Sequence, residues 1–275
     1  MPSYKEIEGA EAIGRGGFAE VRLCARSDDG APFAKKVLVQ LDAASQRRFR
    51  REVELLRLLA GSKIMPIVDA DLDVSPPFYI MPLYSSSLRS VLPELVRDHS
   101  RIPNIFRQVV DAVDRAHSLR VLHRDLNPNN ILMNGDDDVV VSDFGLGRRI
   151  GSDTTRATQT NARMGTSGYM APEQYHSAED ADERSDVFAL GVILNEMYTG
   201  TTGLGMPLPA PVLVIVRRCT NHNRDARFQN IADLRRAFEN IIVVQSRALE
   251  SNAAYDSKEA LQDYLTLIIH SGDRK

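Results

Sequence analysis

Two hydrophobic periods divide the chain. Before about residue 86, apolar positions recur mainly every second residue; beyond it they recur every third or fourth. These are the periods of strand and helix. In the first part, Val21, Leu23 and Ala25 share one face of a strand predicted over 19–25. Asp28-Asp29-Gly30 supplies a hairpin turn, and 31–39 is the returning strand. Asp42 is placed to cap a helix running to about Ala60, with Phe49, Val53, Leu56 and Ala60 as its apolar stripe. Two further strands are expected over 64–69 and 78–83. In the second part the spacing predicts helices over 102–119, 185–198, 212–219 and 231–244, with one short strand at 139–141. The 185–198 stretch is so apolar that it reads as buried. Residues 147–166 are polar, rich in threonine and without either period. A loop of that length inside a compact domain is usually functional. The fold class is therefore α+β, a small strand-rich part with one helix followed by a larger helical part.

Composition removes several functions. The net charge of the 275 residues is −3, and arginine is interleaved with acidic residues, so nucleic acid is not an expected partner. The longest apolar runs, such as 211–216, fall far short of the ~20 residues that a membrane span needs. The start of the chain has no basic-then-apolar leader pattern. Cys24 and Cys219 are far apart and have no metal-ligand spacing. They read as free, buried thiols in a reducing compartment, so the expected location is cytoplasmic.

Chemistry enters at 121–130, V-L-H-R-D-L-N-P-N-N, followed by D-F-G at 143–145. Asp125, Asn130 and Asp143 supply a general base and two oxygen donors for Mg²⁺. That set suits the movement of a phosphoryl group from ATP to a hydroxyl. The segment 13–21, I-G-R-G-G-F-A-E-V, runs on into a strand. A dinucleotide fingerprint or a Walker loop would open a helix instead. Gly14 and Gly16 therefore belong to a hairpin that can fold over phosphates. Alternation along the next strand puts Ala34 and Lys36 on one face and Lys35 on the other, making Lys36 the candidate phosphate-binding lysine. Glu52 borders the apolar stripe of the helix, whereas Glu54 faces solvent, so Glu52 is the expected partner of Lys36.

With G-T-S-G-Y-M-A-P-E at 165–173, these motifs resemble the eukaryotic-type (Hanks-type) serine/threonine protein kinases, and bacterial members in particular, from about 13 to 238. The resemblance implies a bilobal fold. A kinase domain would cover 1–248, with an N-lobe at 1–81, a hinge at 82–86 and a C-lobe at 87–248. A helical extension would follow at 249–275, with Leu261, Tyr264, Leu265 and Ile268 on one face. The resemblance also implies ATP with Mg²⁺, or Mn²⁺ in its place, and a protein substrate. Asp125 would be the base, Lys36 would hold phosphates, and Asn130 and Asp143 would hold the metal. Ile13, Gly14, Gly16, Val21, Ala34, Lys36, Glu52, Met81 and Leu83 would form the nucleotide site, with Met81 as gatekeeper. Asp186 would brace the catalytic loop, and His123 would be structural. Arg227 would pair with Glu173. Thr158 and Thr160 match a T-x-T pair autophosphorylated in bacterial members, which implies a transient homodimer for reaction in trans and Arg124 as the phosphate's partner.

Two positions depart from the family. Asn127 stands where a catalytic lysine touches the γ-phosphate. Its amide can donate a hydrogen bond but brings no charge. Loss of one charge-stabilising contact costs about 2–4 kcal/mol of transition-state binding, so lower turnover or another cation is expected. Second, the Gly- and Pro-rich stretch at 200–211 is too short for the family's extra helix, which is absent or vestigial. Two other functions stay open. One is a pseudokinase scaffold that binds ATP with little turnover. The other is a small-molecule kinase of the aminoglycoside-phosphotransferase type, although such enzymes generally lack the glycine hairpin and G-T-x-x-Y-x-A-P-E.

Overall fold

The structure, a computed structural model, describes residues 3–7, 9, 11–61, 63–149, 166–175 and 180–250. Thr158, Thr160 and the amphipathic stretch at 257–269 lie outside the described residues. The alternating N-terminal part forms an antiparallel sheet. Its strands are β1 (Tyr4–Glu6), β2 (Gly14–Arg15), β3 (Ala19–Arg26) and β4 (Pro32–Leu38), then, beyond helix α1 (Ala43–Leu59), β5 (Asp69–Asp71) and β6 (Phe78–Pro82). The order is β1-β3-β4-β6-β5, with β2 paired to β3. Asp42 caps α1 by accepting from the backbone N–H groups of Ala44 at 2.9 Å and Ser45 at 3.1 Å. Phe49, Val53 and Leu56 are buried against the sheet; Ala60 is the exposed C-cap, and Leu59 takes the last buried place.

Two strand expectations change. Along β3 the fully buried residues are Ala19 and Cys24, which lie on opposite faces. The predicted one-sided pattern fails because Val21 looks onto an open cleft. The strand expected over 64–69 is not a ladder strand; pairing begins only at Asp69. Residues 64–68 are bonded singly to two partners instead. Met65 N–H reaches Val141 at 3.0 Å, Val68 N–H reaches Ile80 at 2.8 Å, and Ile64 bridges Val141. This segment stitches the small lobe to a strand of the large one.

The large lobe contains β7 (Ser86–Ser87), α2 (Leu88–Leu95), α3 (Ile102–Ser118), β8 (Val121–Leu122), β9 (Ile131–Asn134), β10 (Asp138–Val141), β11 (Arg148–Arg149), α4 (Glu183–Thr199), α5 (Ala210–Cys219) and α6 (Ile231–Glu250). Helix α4 is buried along almost its whole length, from Ser185 to Tyr198, and is the axis of this lobe. Asp182 caps its start, and Gly200 ends it at φ 74°, a left-handed turn that suits glycine. At Gly191 a Cβ would lie 2.3 Å from Cys219 Cβ, so glycine sets how closely α5 approaches α4. Both cysteines are free and buried. Residues 200–209 contain no helix, so α5 follows α4 directly and the family's intervening helix is missing. No helix among the described residues is long and apolar enough to cross a membrane.

Candidate active site

Between the sheet and the helical lobe lies a cleft of about 940 Å³, within the range of small-molecule sites. Its roof is the glycine hairpin. Gly14 pairs with Val21, and Gly16 N–H closes the turn on Ala19 O at 2.9 Å. Ile13, Val21, Ala34, Met81 and Leu83 line its apolar end, and Leu132 lies across from them. Strand register puts Ala34 opposite Met81 and Lys36 opposite Tyr79. Cross-strand partners share a face, so Lys36 and Tyr79 both point towards α1.

There they meet Glu52, which is fully buried. Lys36 Nζ donates to Glu52 Oε1 at 2.6 Å, and the Tyr79 hydroxyl donates to the same oxygen at 2.8 Å. Lys35, one residue back, points to the other face and pairs with Glu6 at 2.8 Å. Lys36 Nζ is also 3.6 Å from Asp143 Oδ1. Burial alone would lower the pKa of the lysine, but the charges of Asp143 and Glu52 outweigh it and hold Lys36 above its ordinary value. Asp143 is held below the ordinary carboxylate value: burial opposes this, and the charges of Lys36 and Arg48 prevail. Its backbone is left-handed, at φ 59° and ψ 63°. That conformation is sparsely populated by non-glycine residues and turns the carboxylate into the cleft.

The loop between β8 and β9 carries the remaining groups. Its backbone hangs on Asp186 of α4. One carboxylate oxygen accepts His123 N–H at 2.9 Å and the His117 ring at 2.7 Å; the other accepts Arg124 N–H at 2.9 Å. Burial works to raise the pKa of Asp186, but these partners outweigh it and hold it below the usual range. His123 is buried; its Nε2 meets Ser142 O at 2.9 Å, and its Nδ1 receives Asp125 N–H at 3.3 Å. A carbonyl can only accept and an amide N–H can only donate, so the ring proton sits on Nε2. Asp125 Oδ1 accepts both the N–H of Thr166 at 2.8 Å and its hydroxyl at 2.9 Å. The carboxylate is thus fixed through one oxygen. Asn130 Nδ2 donates to Asp125 O at 2.9 Å, and the amide's oxygen is the atom suited to a cation.

Asn127 does not reach the cleft. It is only 2% exposed. Its Nδ2 donates to Asp125 O at 3.0 Å and to Thr166 Oγ1 at 3.1 Å, and its Oδ1 accepts Asn129 N–H at 3.0 Å. Both amide hydrogens are therefore used, one inside the loop and one on Thr166, and no donor is left for a phosphate. The side chain ties the loop to the residue that steadies Asp125.

All of Ile13, Gly14, Gly16, Val21, Ala34, Lys36, Met81, Leu83, Asp125, Asn130 and Asp143 border the one cleft, with Glu52 directly behind it. The donor set offered to a metal, the Asp143 carboxylate and the Asn130 amide oxygen, is all oxygen and suits a hard cation such as Mg²⁺. That ion takes few protein ligands and fills its shell with phosphate and water. A family model for the protein kinase domain matches residues 7–242. This chain belongs to the protein kinase family. Among its relatives, "Probable serine/threonine-protein kinase PknB" of Corynebacterium glutamicum is 35% identical over 198 residues, covering 68% of this chain and 30% of that protein. Serine/threonine-protein kinase PrkC of Bacillus subtilis is 33% identical over 197 residues, covering 68% and 29%. Serine/threonine-protein kinase PknL of Mycobacterium tuberculosis is 33% identical over 179 residues, covering 62% and 43%. The matches thus span less than half the length of these relatives.

Several residues of the kinase cleft are not marked as functional by the sequence alone. Thr166 was visible only as part of a motif, although its hydroxyl sits on the base. Phe18 and Arg48 also border the cleft. Arg48 precedes Glu52 by one helical turn, and this spacing was the available signal. The expected scaffold pair is present: Arg227 meets Glu173 through two bonds, at 2.7 and 2.8 Å.

Proposed function

We propose that the chain catalyses Mg²⁺-dependent phosphoryl transfer from ATP to serine or threonine hydroxyls of proteins. The observation that carries this reading is the assembled set of charges. Lys36 is paired with Glu52 at 2.6 Å while lying 3.6 Å from Asp143 at the closed end of the cleft. In kinases the lysine–glutamate pair and the metal-holding D-F-G aspartate must both be in place for transfer. The adenine would occupy the apolar end between Ala34, Met81 and Leu83. Lys36 would hold the α- and β-phosphates, and Asn130 and Asp143 would hold the metal. When bound, Mg²⁺ would neutralise phosphate charge. With Oδ1 of Asp125 occupied by Thr166, its second oxygen is left for the proton of a substrate hydroxyl.

The same reading divides the chain into a kinase domain at 1–248 and a C-terminal extension at 249–275. It takes Thr158 and Thr160 as autophosphorylation sites, modified in a transient homodimer. It places the protein in the cytoplasm, supported by two free, buried thiols. The names of the relatives support serine/threonine specificity. The test is incubation with labelled ATP, Mg²⁺ and a generic protein substrate, beside Asp125→Asn. Transfer that the variant loses, with label mapped to Thr158 or Thr160, is expected. ATP binding with no transfer by the unaltered chain would overturn the assignment.

A further inference from the structure

Transfer of a γ-phosphoryl group needs positive charge where the equatorial oxygens develop theirs, and position 127 of the catalytic loop does not supply it. Asn127 is neutral, buried and fully hydrogen-bonded. Among the described residues, three cations border the cleft: Arg15, Lys36 and Arg48. Arg15 is exposed on the glycine hairpin, and Lys36 is engaged with Glu52.

Arg48 differs from both. It projects from α1, and its guanidinium lies 3.9 Å from the ring centroid of Phe18, at the tip of the hairpin. Its Nε is buried without a hydrogen-bond partner among the described residues. A Cβ placed on Gly145 would lie 3.0 Å from Asp143 Oδ1, 3.2 Å from Arg48 Nε and 3.4 Å from Glu52 Oε2. The guanidinium therefore stands beside the Asp143 carboxylate, packed close against Gly145. Burial draws its pKa below the ordinary arginine value, while Asp143, Glu52 and Asp125 favour its charge. An arginine stays protonated under such a shift and carries donors suited to phosphate oxygens.

We propose that Arg48 supplies the cationic contact to the γ-phosphate of ATP that position 127 of the catalytic loop lacks. The hairpin would close over the nucleotide with Phe18 stacked on the guanidinium. Its N–H donors would then reach the phosphoryl group between Asp143 and Asp125. The proposal rests on the kinase reading above.

The competing role is a purely mechanical pin between helix and hairpin, and nucleotide affinities separate the two. With phosphatase-treated protein, the dissociation constants of ADP and of a non-hydrolysable ATP analogue are measured beside the turnover of a protein substrate. Arg48→Ala is expected to weaken the analogue relative to ADP by about tenfold, the loss of one charge-assisted bond. It is also expected to lower kcat by about 100-fold. Arg48→Lys should retain part of both. Restoration of turnover by Asn127→Lys in the Arg48→Ala background would show that charge is the missing element. Equal weakening of ADP and analogue, or a kcat within threefold of the unaltered chain, would overturn the proposal. If the unaltered chain transfers no phosphate, the kinase reading fails, yet the ADP-to-analogue ratio still reports on Arg48.

Discussion

Arg227 offers a quantitative test of how the segment ending in Glu173 is held to the helical lobe. Its residue exposure is 1%. The guanidinium gives two bonds to Glu173, at 2.7 and 2.8 Å, and others to Asn221 O at 2.7 Å and Arg184 O at 3.0 Å, and it lies 5.0 Å from the ring centroid of Phe188. Arg227→Met keeps the apolar stem but takes the guanidinium away from Glu173 and from the carbonyls of Asn221, Arg184 and His222. Breaking a buried pair in this way costs about 3–5 kcal/mol. For a chain of this size that lowers Tm by roughly 10 °C. Replacing both partners removes the orphaned charge as well, so Glu173→Gln with Arg227→Met should be less unstable than the two single changes added together.

The pH dependence has a definite sign. Burial would raise the pKa of Glu173, but the bonds and charge of Arg227 override it and hold the carboxyl below the ordinary value. A depressed folded-state pKa contributes stability that is present above the unfolded value, about 4.3, and is lost as pH falls through the folded value. The gap between the unaltered chain and Glu173→Gln should therefore be open at pH 7 and should narrow below about pH 4. Thermal or urea melts across that range provide the assay. A loss under about 1 kcal/mol for Arg227→Met, or strict additivity in the double variant, would refute the reasoning.

Two further perturbations probe the cleft. Asp186→Asn replaces one acceptor oxygen with a donor facing backbone N–H groups, so the catalytic loop should shift; kcat is expected to fall roughly 10–100-fold with little change in the KM for ATP, measured by steady-state kinetics. Lys36→Met should abolish most transfer and also destabilise the fold, because it leaves the fully buried Glu52, whose pKa burial already raises, without its cation. Adding Glu52→Gln should recover melting temperature without recovering activity.

Much of this arrangement is legible in the sequence wherever a residue's role follows from its own element. The α1 boundaries come from a capping aspartate and a stripe of Phe49, Val53 and Leu56. The choice of Lys36 over Lys35 follows from strand alternation, and the choice of Glu52 over Glu54 from helix angle. Legibility ends where a role depends on a partner from elsewhere. Residues 64–68 look like a strand because they are extended and half-buried, but their bonds are shared between two lobes. Asn127 reads as a missing charge because only the folded loop brings Asp125 O, Asn129 N–H and Thr166 within reach of one amide. Arg48 is one of several arginines along α1. Its spacing to Glu52 is present in the sequence, but the carboxylate of Asp143 beside it is brought in by the other lobe.

Moving the phosphate-binding charge from a loop to a helix changes what controls it. A lysine in the catalytic loop would be fixed by Asp186 wherever α1 lay. Arg48 and Glu52 are one turn apart on the same helix and face the same cleft, so any displacement of α1 that breaks the Lys36–Glu52 bond also withdraws the guanidinium from the phosphate. The lysine pairing and the supply of charge then become a single event. Glu52→Gln, which loosens the anchor, should remove part of the contribution of Arg48 before Arg48 is touched. The two changes should thus be less than multiplicative in kcat: Arg48→Ala should cost about 100-fold alone but clearly less in the Glu52→Gln background. Fully multiplicative losses would mean that α1 holds the arginine in place without the help of the lysine pair.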